Sequence, residues 1–210
     1  MATVDRSLPL RERKRLRTRR ALADAALRLF TAKGFDATTI EELVDEAEVS
    51  RSTFFRAFPS KEAVAVESET ELWSNYLATL GDRDYTGLVI DDLRDALITT
   101  AEALDPDWDH RYLTTRRLIL TAPALQANVE YYRSGVRIDM IACLASKLGL
   151  DPDDLRLHVL AELTTAAWSV AGRQWVHTDG AGGRATLTVR LRDAFTAIPA
   201  GLDLTAPPGR

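Results

Sequence analysis

Residues 39–61 read TIEELVDEAEVSRSTFFRAFPSK and contain two short helical patterns separated by a break. In the first pattern, Thr39 and Glu42 fit a capping box, in which the hydroxyl and the carboxylate satisfy backbone N–H groups at the helix start. After the break at Glu48, Ser50 is placed to cap a second helix. Two short helices joined by a tight turn form a helix-turn-helix, so this segment predicts the centre of a small helical domain.

The second of these helices begins with Ser50, Arg51, Ser52 and Thr53. Short hydroxyl side chains allow close approach to a phosphate backbone, and arginine can hydrogen-bond guanine or neutralise phosphate charge. A helical hairpin with a purely structural role needs none of these groups. We therefore predict that this helix enters the major groove of DNA.

Helical periodicity extends over the rest of the chain, and no segment shows the sustained alternation of a strand bounded by turns. Leu22 and Phe30 lie on the apolar stripe of a first helix that Gly34 terminates. Ser60 is placed to cap a fourth helix that continues to residue 80. The sequence predicts an all-α fold of about nine helices, the later ones at residues 88–104, 108–121, 124–148, 153–177 and 185–198.

The composition is that of a folded protein with a buried core, because 46% of the 210 residues are hydrophobic. Cys143 is the one cysteine, so no intramolecular disulfide is possible, and residues 1–20 lack the apolar segment of a signal peptide. No apolar run approaches the roughly 18 to 20 residues that a membrane-spanning helix needs. These features predict a cytoplasmic protein without a membrane partner.

Basic residues are concentrated at the N-terminal end. Eight basic residues against two acidic ones give residues 1–20 a charge of +6, whereas the whole chain carries −4, which leaves −10 on the remainder. A cationic end on an anionic body favours a polyanionic partner. We predict that Arg11, Arg13 and Arg15 form an arm that precedes the first helix and enters an adjacent minor groove. The alternative is a solvated tail.

The N-terminal third resembles the DNA-binding domain of the TetR family, through the runs TRRALADAALRLF (residues 18–30), GFDATTI (34–40) and AEVSRSTFFRAFPSKE (47–62). This resemblance implies a homodimeric repressor that binds a palindromic operator in double-stranded DNA. It implies that the residues facing DNA are Thr39, Ser50, Arg51, Ser52, Thr53, Phe55, Arg56 and Lys61. Among them, we expect Arg51 and Thr53 to contact base edges, and Arg56 and Lys61 to contact phosphate.

Two departures from the family pattern bear on this interface. The family commonly has glycine where this chain has Glu48, and a non-glycine residue at positive φ costs about 1 kcal/mol. The family commonly has tyrosine where this chain has Phe55, so a phenolic contact to phosphate is missing and Phe55 is left with packing. We assign the neighbouring Phe54 and Phe58 to the core.

We divide the chain into a basic arm (1–17), a helix-turn-helix domain (18–62), an effector-binding and dimerisation domain (63–199) and a disordered tail (200–210). Apolar stripes on the last two helices fit an isologous four-helix dimer interface, and the alternative is that both stripes pack within one subunit. The predicted interface residues are Leu160, Leu163, Ala167, Val170, Leu187, Leu191 and Phe195.

The middle helices combine large amphipathic residues with arginines, a mixture that can line an apolar cavity with polar anchors. The predicted effector-pocket residues are Trp108, Tyr112, Arg116, Ala122, Tyr131, Tyr132, Trp168 and Trp175. Residues 112–127 also resemble TetR relatives that sense acyl-coenzyme A, which implies a small apolar or acyl-type effector. The alternative for these aromatic residues is ordinary core and rim.

Two other functional classes remain open at this point. For a helical enzyme the chain offers only the scattered His110, His158 and His177, without a metal-ligand cluster or a phosphate-binding glycine loop. We therefore predict no catalytic residue, no metal and no cofactor. A helical ligand-binding protein without operator affinity stays open because of the departures at Glu48 and Phe55.

Overall fold

The computed structural model describes residues 9–206, so Arg6 of the basic segment and residues 207–210 of the predicted tail lie outside the described residues. Within the described range all regular secondary structure is helical, which confirms the predicted all-α fold. The helices are α1 (Leu10–Lys33), α2 (Ile40–Glu46), α3 (Arg51–Ala57), α4 (Lys61–Ala65), α5 (Glu67–Asp82), α6 (Val89–Ala103), α7 (Trp108–Thr121), α8 (Pro123–Leu148), α9 (Leu155–His177) and α10 (Gly183–Leu202).

Helix α1 begins at Leu10, directly after Pro9, and ends at Lys33, where Gly34 has a φ of 90°. The predicted arm residues lie in its first turns: Arg11, Arg13 and Arg15. The prediction that they precede the first helix is wrong. Arg, Leu, Lys and Ala dominate this segment, and these strong helix formers continue without a glycine or proline from Leu10 to Lys33.

Three hydroxyl side chains cap the short helices, as the sequence predicts. Thr39 Oγ1 accepts a hydrogen bond from the backbone N–H of Glu42 at 3.2 Å, and Glu42 Oε2 accepts one from the N–H of Thr39 at 2.8 Å. Ser50 Oγ accepts from the N–H of Thr53, and Ser60 Oγ accepts from the N–H three residues further on, both at 3.2 Å. Local hydrogen bonds therefore fix where α2, α3 and α4 begin.

The turn between α2 and α3 contains the strained residue that the sequence predicts. Glu48 has a φ of 54°, in the left-handed region. The N–H of Val49 donates to the carbonyl of Val44 at 2.9 Å, which reverses the chain after α2 in the way that a glycine normally permits. The helix-turn-helix thus forms with a glutamate at the position that favours glycine.

The predicted fourth helix is two helices, which raises the total in the described range from nine to ten. Val66 ends α4, and its carbonyl accepts from the N–H groups of Glu69 at 3.0 Å and Thr70 at 3.2 Å, so it also starts α5. Val64, Ala65 and Val66 are all buried. Three consecutive residues sweep about 200° around a continuous helix, so burying all three favours a break.

The described chain forms two compact units. Unit 1 comprises the chain up to Glu71 together with Asp105–Tyr132, and unit 2 comprises Leu72–Leu104 and the chain from Arg133 onward. The apolar core of unit 1 draws on α1 to α4 and also on Ile119 of α7 and on α8. The helix-turn-helix region is therefore stabilised by helices that lie well beyond the predicted boundary at residue 62.

In unit 2, α10 packs against α9 and α6, and the large buried side chains include Trp73, Tyr76 and Trp168. Helix α10 extends to Leu202, so the prediction of a disordered tail from residue 200 is wrong for its first three residues. Pro199 does not end the helix. Among the described residues, no helix has the length and apolar character required to cross a bilayer.

Candidate nucleic-acid interface

Helix α3 has one buried face and one exposed face. On the buried face, Phe54 packs against Phe58 with ring centroids 6.1 Å apart, and both side chains are fully buried, which confirms their assignment to the core. The exposed face carries Arg51, Ser52, Phe55 and Arg56. Packing of the phenylalanines therefore determines which side chains α3 presents to a partner.

A cluster of hydroxyls lies at the start of α3. Ser50 Oγ is 2.9 Å from both Ser52 Oγ and Thr53 Oγ1. Arg56 extends the cluster, because its Nη2 donates to Thr53 Oγ1 at 3.1 Å. These hydroxyl and guanidinium groups form a connected set of hydrogen-bond donors and acceptors. Groups of this kind contact phosphate oxygens and base edges in protein–DNA complexes.

Arg51 occupies an exposed position between two neighbours. Its Nη1 lies 2.7 Å from Glu41 Oε1 on α2, and its guanidinium lies 5.7 Å from the ring centroid of Phe55. Both members of the ion pair are exposed, and such pairs contribute at most about 1 kcal/mol. The guanidinium can therefore exchange Glu41 for a guanine edge or a phosphate at little cost.

Phe55 is 45% exposed and meets the ring of Phe54 edge-on at 5.3 Å. The side chain thus has both a packing role and a free apolar surface beside Arg51. With no phenolic hydroxyl, it can contact DNA through apolar surface, for example at a thymine methyl group.

Thr39 is exposed, but its hydroxyl already serves the capping box of α2. Glu42, the other member of the box, is also paired with Lys33. The hydrogen bond from Lys33 and those from the backbone and side chain of Thr39 lower the pKa of Glu42 to about 2. Thr39 therefore fixes the start of α2 next to the exposed face of α3.

Lys61 has an internal role that the sequence did not indicate. Its Nζ donates to the backbone carbonyls of Phe35 and Thr38, both at 2.9 Å, and lies 4.3 Å from the ring centroid of Phe35. The ammonium thus closes the loop between α1 and α2. The predicted phosphate contact of Lys61 stays a prediction, and it would compete with these bonds.

Arg19 is a positioning residue that sequence reasoning missed. Its guanidinium donates to the carbonyl of Ala57 at the end of α3, pairs with both carboxylate oxygens of Glu67, and stacks 4.2 Å from the ring centroid of Phe58. One side chain of α1 therefore holds the end of α3 and the start of α5. The partners lie 38 and 48 residues away in sequence, so no local pattern marks this arginine among its neighbours.

The basic residues at the start of α1 lie on helical turns. Arg11 and Arg15 are exposed and one turn apart, so they share a face, whereas Arg13 is partly buried. Arg15 also pairs with Glu12 across one turn. Lys14 and Arg17 are exposed as well, so the start of α1 presents four cations along a helix rather than along an extended strand.

Three of the six predicted effector residues of unit 1, Trp108, Tyr112 and Ala122, are buried in its interior. Trp108 and Tyr112 are buried and stacked at 4.7 Å, and the indole of Trp108 donates to the carbonyl of Ser68. Arg116 pairs with Glu69. Ala122 is buried, Tyr132 donates to the carbonyl of Thr70, and Tyr131 is 83% exposed. A cavity of about 940 Å³ in this unit is lined by none of these residues.

The two remaining effector candidates, Trp168 and Trp175, are fully buried in unit 2. Trp168 meets Trp73 edge-to-face at 6.0 Å. The structure thus divides the eight predicted residues between the two units, with six in unit 1. Their role toward an effector stays a prediction.

Four of the seven residues predicted for a dimer interface are buried inside the protomer: Ala167, Leu187, Leu191 and Phe195. They lie on α9 and α10, which pack against each other in the same chain, so these four side chains are not presented to a partner. Leu160 and Leu163 are partly exposed, and Val170 is exposed. An apolar stripe with helical period marks a buried face without identifying what buries it.

Comparison with known proteins agrees with this geometry. The family model described as bacterial regulatory proteins of the tetR family matches residues 22–67, and a model described as the MftR C-terminal domain matches residues 88–203. The chain belongs to the TetR family. TcmR, a helix-turn-helix transcriptional regulator of Streptomyces glaucescens, is 30% identical over 180 residues, which cover 79% of this chain and 76% of TcmR.

Other TetR-family proteins extend the match to nearly the whole chain. The transcriptional regulator MftR of Mycobacterium tuberculosis is 27% identical over 197 residues, covering 91% of this chain and 94% of MftR. Among solved structures, Salmonella enterica GusR has a TM-score of 0.52 at 19% identity, with 87% and 95% of the two chains covered. Thermus thermophilus FadR has a TM-score of 0.51 at 20% identity, with 91% and 98% covered.

This TetR-family chain is therefore a transcriptional regulator, and its relatives are regulators rather than enzymes. The exposed face of α3 belongs to the matched DNA-binding region. In the part of the chain that the structure describes, no group of three or more His, Cys, Asp or Glu residues is placed to hold a metal ion.

Proposed function

We propose that this TetR-family regulator is a homodimeric repressor that reads a palindromic operator with α3 and is released from it by a small effector. The observation that carries the proposal is the exposed face of α3, where Arg51 and Arg56 flank the hydroxyl cluster. In this proposal, Arg51 and Thr53 contact base edges and Arg56 contacts phosphate. The buried phenylalanines hold this face in one orientation.

Apolar side chains that remain exposed on α9 and α10 support the homodimer. Val159 and Val170 of α9 are 55% and 39% exposed, and Val189 of α10 is 52% exposed. Val159, Val170 and the exposed Ala166 share one face of α9. A two-fold dimer buries the same patch of both protomers, and the two recognition helices then meet half-sites about one helical turn, roughly 34 Å, apart.

An acyl-type effector is supported by fold similarity and by the resemblance of residues 112–127 to acyl-coenzyme A sensors. The Thermus thermophilus FadR structure contains lauroyl-CoA. Residues 112–127 form most of α7 and the start of α8, and Ile119, Ala122 and Leu125 in this run belong to the same apolar core as α1 to α4. A ligand that displaces this run would disturb the apolar core on which α3, the proposed recognition helix, packs.

Selection of duplexes from a random pool with the purified chain tests DNA reading and dimerisation together. We expect enrichment of an inverted repeat with half-site centres about 10 base pairs apart. Failure to enrich any sequence would favour a ligand-binding protein without operator affinity. Enrichment of a single unrepeated half-site would contradict the homodimer.

The effector is tested on the selected operator with lauroyl-CoA as the probe and coenzyme A as the matched control. A coupling of about 1–3 kcal/mol predicts a roughly 5- to 150-fold loss of operator affinity with the acyl compound alone. Only a ligand with different affinities for the two states of the dimer has this effect. An equal response to both compounds would refute recognition of the acyl chain.

A further inference from the structure

A cavity of about 940 Å³ lies between α1 and α7, entirely within unit 1. Its volume falls in the range of small-molecule sites. Leu27 and Phe30 of α1 and Leu118 of α7 supply apolar surface, and Thr31 and Thr121 line it from opposite helices. Such a wall favours a ligand with an apolar body.

The charged lining of the cavity is predominantly cationic, with four arginines against two aspartates: Arg20, Arg28, Arg111 and Arg117 against Asp24 and Asp107. Arg20 and Arg111 are held in place by Asp105, which accepts from each at 2.7 Å. Arg28 and Arg117 are exposed. The salt bridge from Arg28 to Glu46 has two exposed partners, so a ligand can displace it at low cost.

We propose that this cavity binds a small organic anion with an apolar body, of the carboxylate or sulfonate class. The apolar body contacts Leu27, Phe30 and Leu118, and the anionic group meets Arg28 and Arg117. Helix α1 packs directly against α2, α3 and α4, so a ligand here touches the helix that supports the recognition helix. None of the eight predicted effector-pocket residues lines this cavity, but most of its α7 wall belongs to the run 112–127 on which the proposed acyl-type effector rests. Binding of the probe is measured without DNA, so it can succeed or fail independently of any effect on operator affinity.

Calorimetric titration with 1-anilinonaphthalene-8-sulfonate, an aromatic sulfonate, tests the proposal on the full chain. Thr31→Trp fills the cavity from α1 and Thr121→Trp fills it from α7, both at exposed positions, so either variant suffices if the other fails to fold. Arg117→Gln removes a lining cation. The matched controls are Ser146→Trp and Lys147→Gln, at exposed positions of α8 in unit 2.

We expect saturable binding of one probe molecule per chain. Each tryptophan variant of the cavity should weaken it at least about tenfold, which corresponds to 1.4 kcal/mol. Arg117→Gln should weaken it several-fold and reduce its dependence on salt, while both controls bind like the wild type. The proposal is overturned if the cavity variants bind as tightly as the controls, or if controls and cavity variants lose affinity alike.

Discussion

Replacing Glu48 by glycine is expected to stabilise the protein. Glu48 has a φ of 54°, where the Cβ of an L-residue crowds the neighbouring carbonyl at a cost of about 1–2 kcal/mol. Glycine removes that strain but gives the unfolded chain more freedom, which offsets about 0.4–1 kcal/mol. The side chain is exposed, so its loss removes little packing. The expected net gain in the free energy of unfolding is roughly 0.5–1 kcal/mol.

Urea unfolding of Glu48→Gly and Glu48→Ala separates backbone strain from charge. Alanine removes the carboxylate and keeps the Cβ, so its midpoint should lie within about 0.5 kcal/mol of the wild type. Asp179 provides an internal comparison, because its φ is 55° and aspartate tolerates this region better. Asp179→Gly should therefore stabilise less. A glycine variant at Glu48 no more stable than the alanine variant would refute the assignment of strain to this turn.

Three further predictions follow from the described contacts. Arg19→Ala should lower the free energy of unfolding by about 2 kcal/mol in urea titrations. The loss is smaller than for a fully buried ion pair because Arg19 stays partly exposed. Arg17 is exposed on the same helix, so Arg17→Ala should have almost no effect. Glu42 has a pKa of about 2 against an ordinary 4.5, so its contribution to stability is complete above about pH 4.5 and is lost as the pH falls toward 2. Glu42→Gln should make the urea midpoint less dependent on pH between about 4.5 and 2. A variant whose midpoint varies with pH as in the wild type would contradict the hydrogen bonds assigned to Glu42. Val170→Asp should shift the proposed homodimer toward monomer in sedimentation equilibrium, whereas Ser146→Asp on α8 should leave the equilibrium unchanged. Equal behaviour of the two variants would contradict an interface at Val170.

Features set by neighbouring residues could be predicted from the sequence. The caps at Thr39, Ser50 and Ser60 form because a hydroxyl lies next to the N–H groups it satisfies, whatever surrounds the helix. The strain at Glu48 is expected from the family pattern, which commonly has glycine at this position, and not from the neighbouring residues alone. The buried position of Phe54 follows from the apolar spacing of α3.

Features set by distant contacts could not be predicted. Arg19 and Lys61 each satisfy backbone carbonyls of other elements, and nothing local distinguishes them from solvated cations. The apolar stripe of Leu187 and Leu191 is buried, as its helical period predicts. The period does not reveal that helices α9 and α6 of the same chain, rather than a second copy, bury it. The aromatic Trp108 suggested a cavity wall, whereas its partners lie in a packed core.

Lys61 is unsuitable as a probe of phosphate contact, because its ammonium already closes the loop after α1. Arg56 is exposed and bonds only within α3 among the contacts described, so it is the better choice. Glu41→Gln offers a complementary variant, since it frees Arg51 from its exposed partner and should tighten binding to DNA.

The most direct test of DNA reading by α3 is a fluorescence anisotropy titration of Arg51→Ala and Arg56→Ala on the selected operator and on a scrambled duplex, at several salt concentrations. Arg51→Ala should lose about 1–3 kcal/mol on the operator and little on the scrambled duplex. Arg56→Ala should weaken binding to both duplexes and reduce the salt slope by about one. If Arg51→Ala weakens binding to both duplexes equally, or to neither, the exposed face of α3 does not read the sequence.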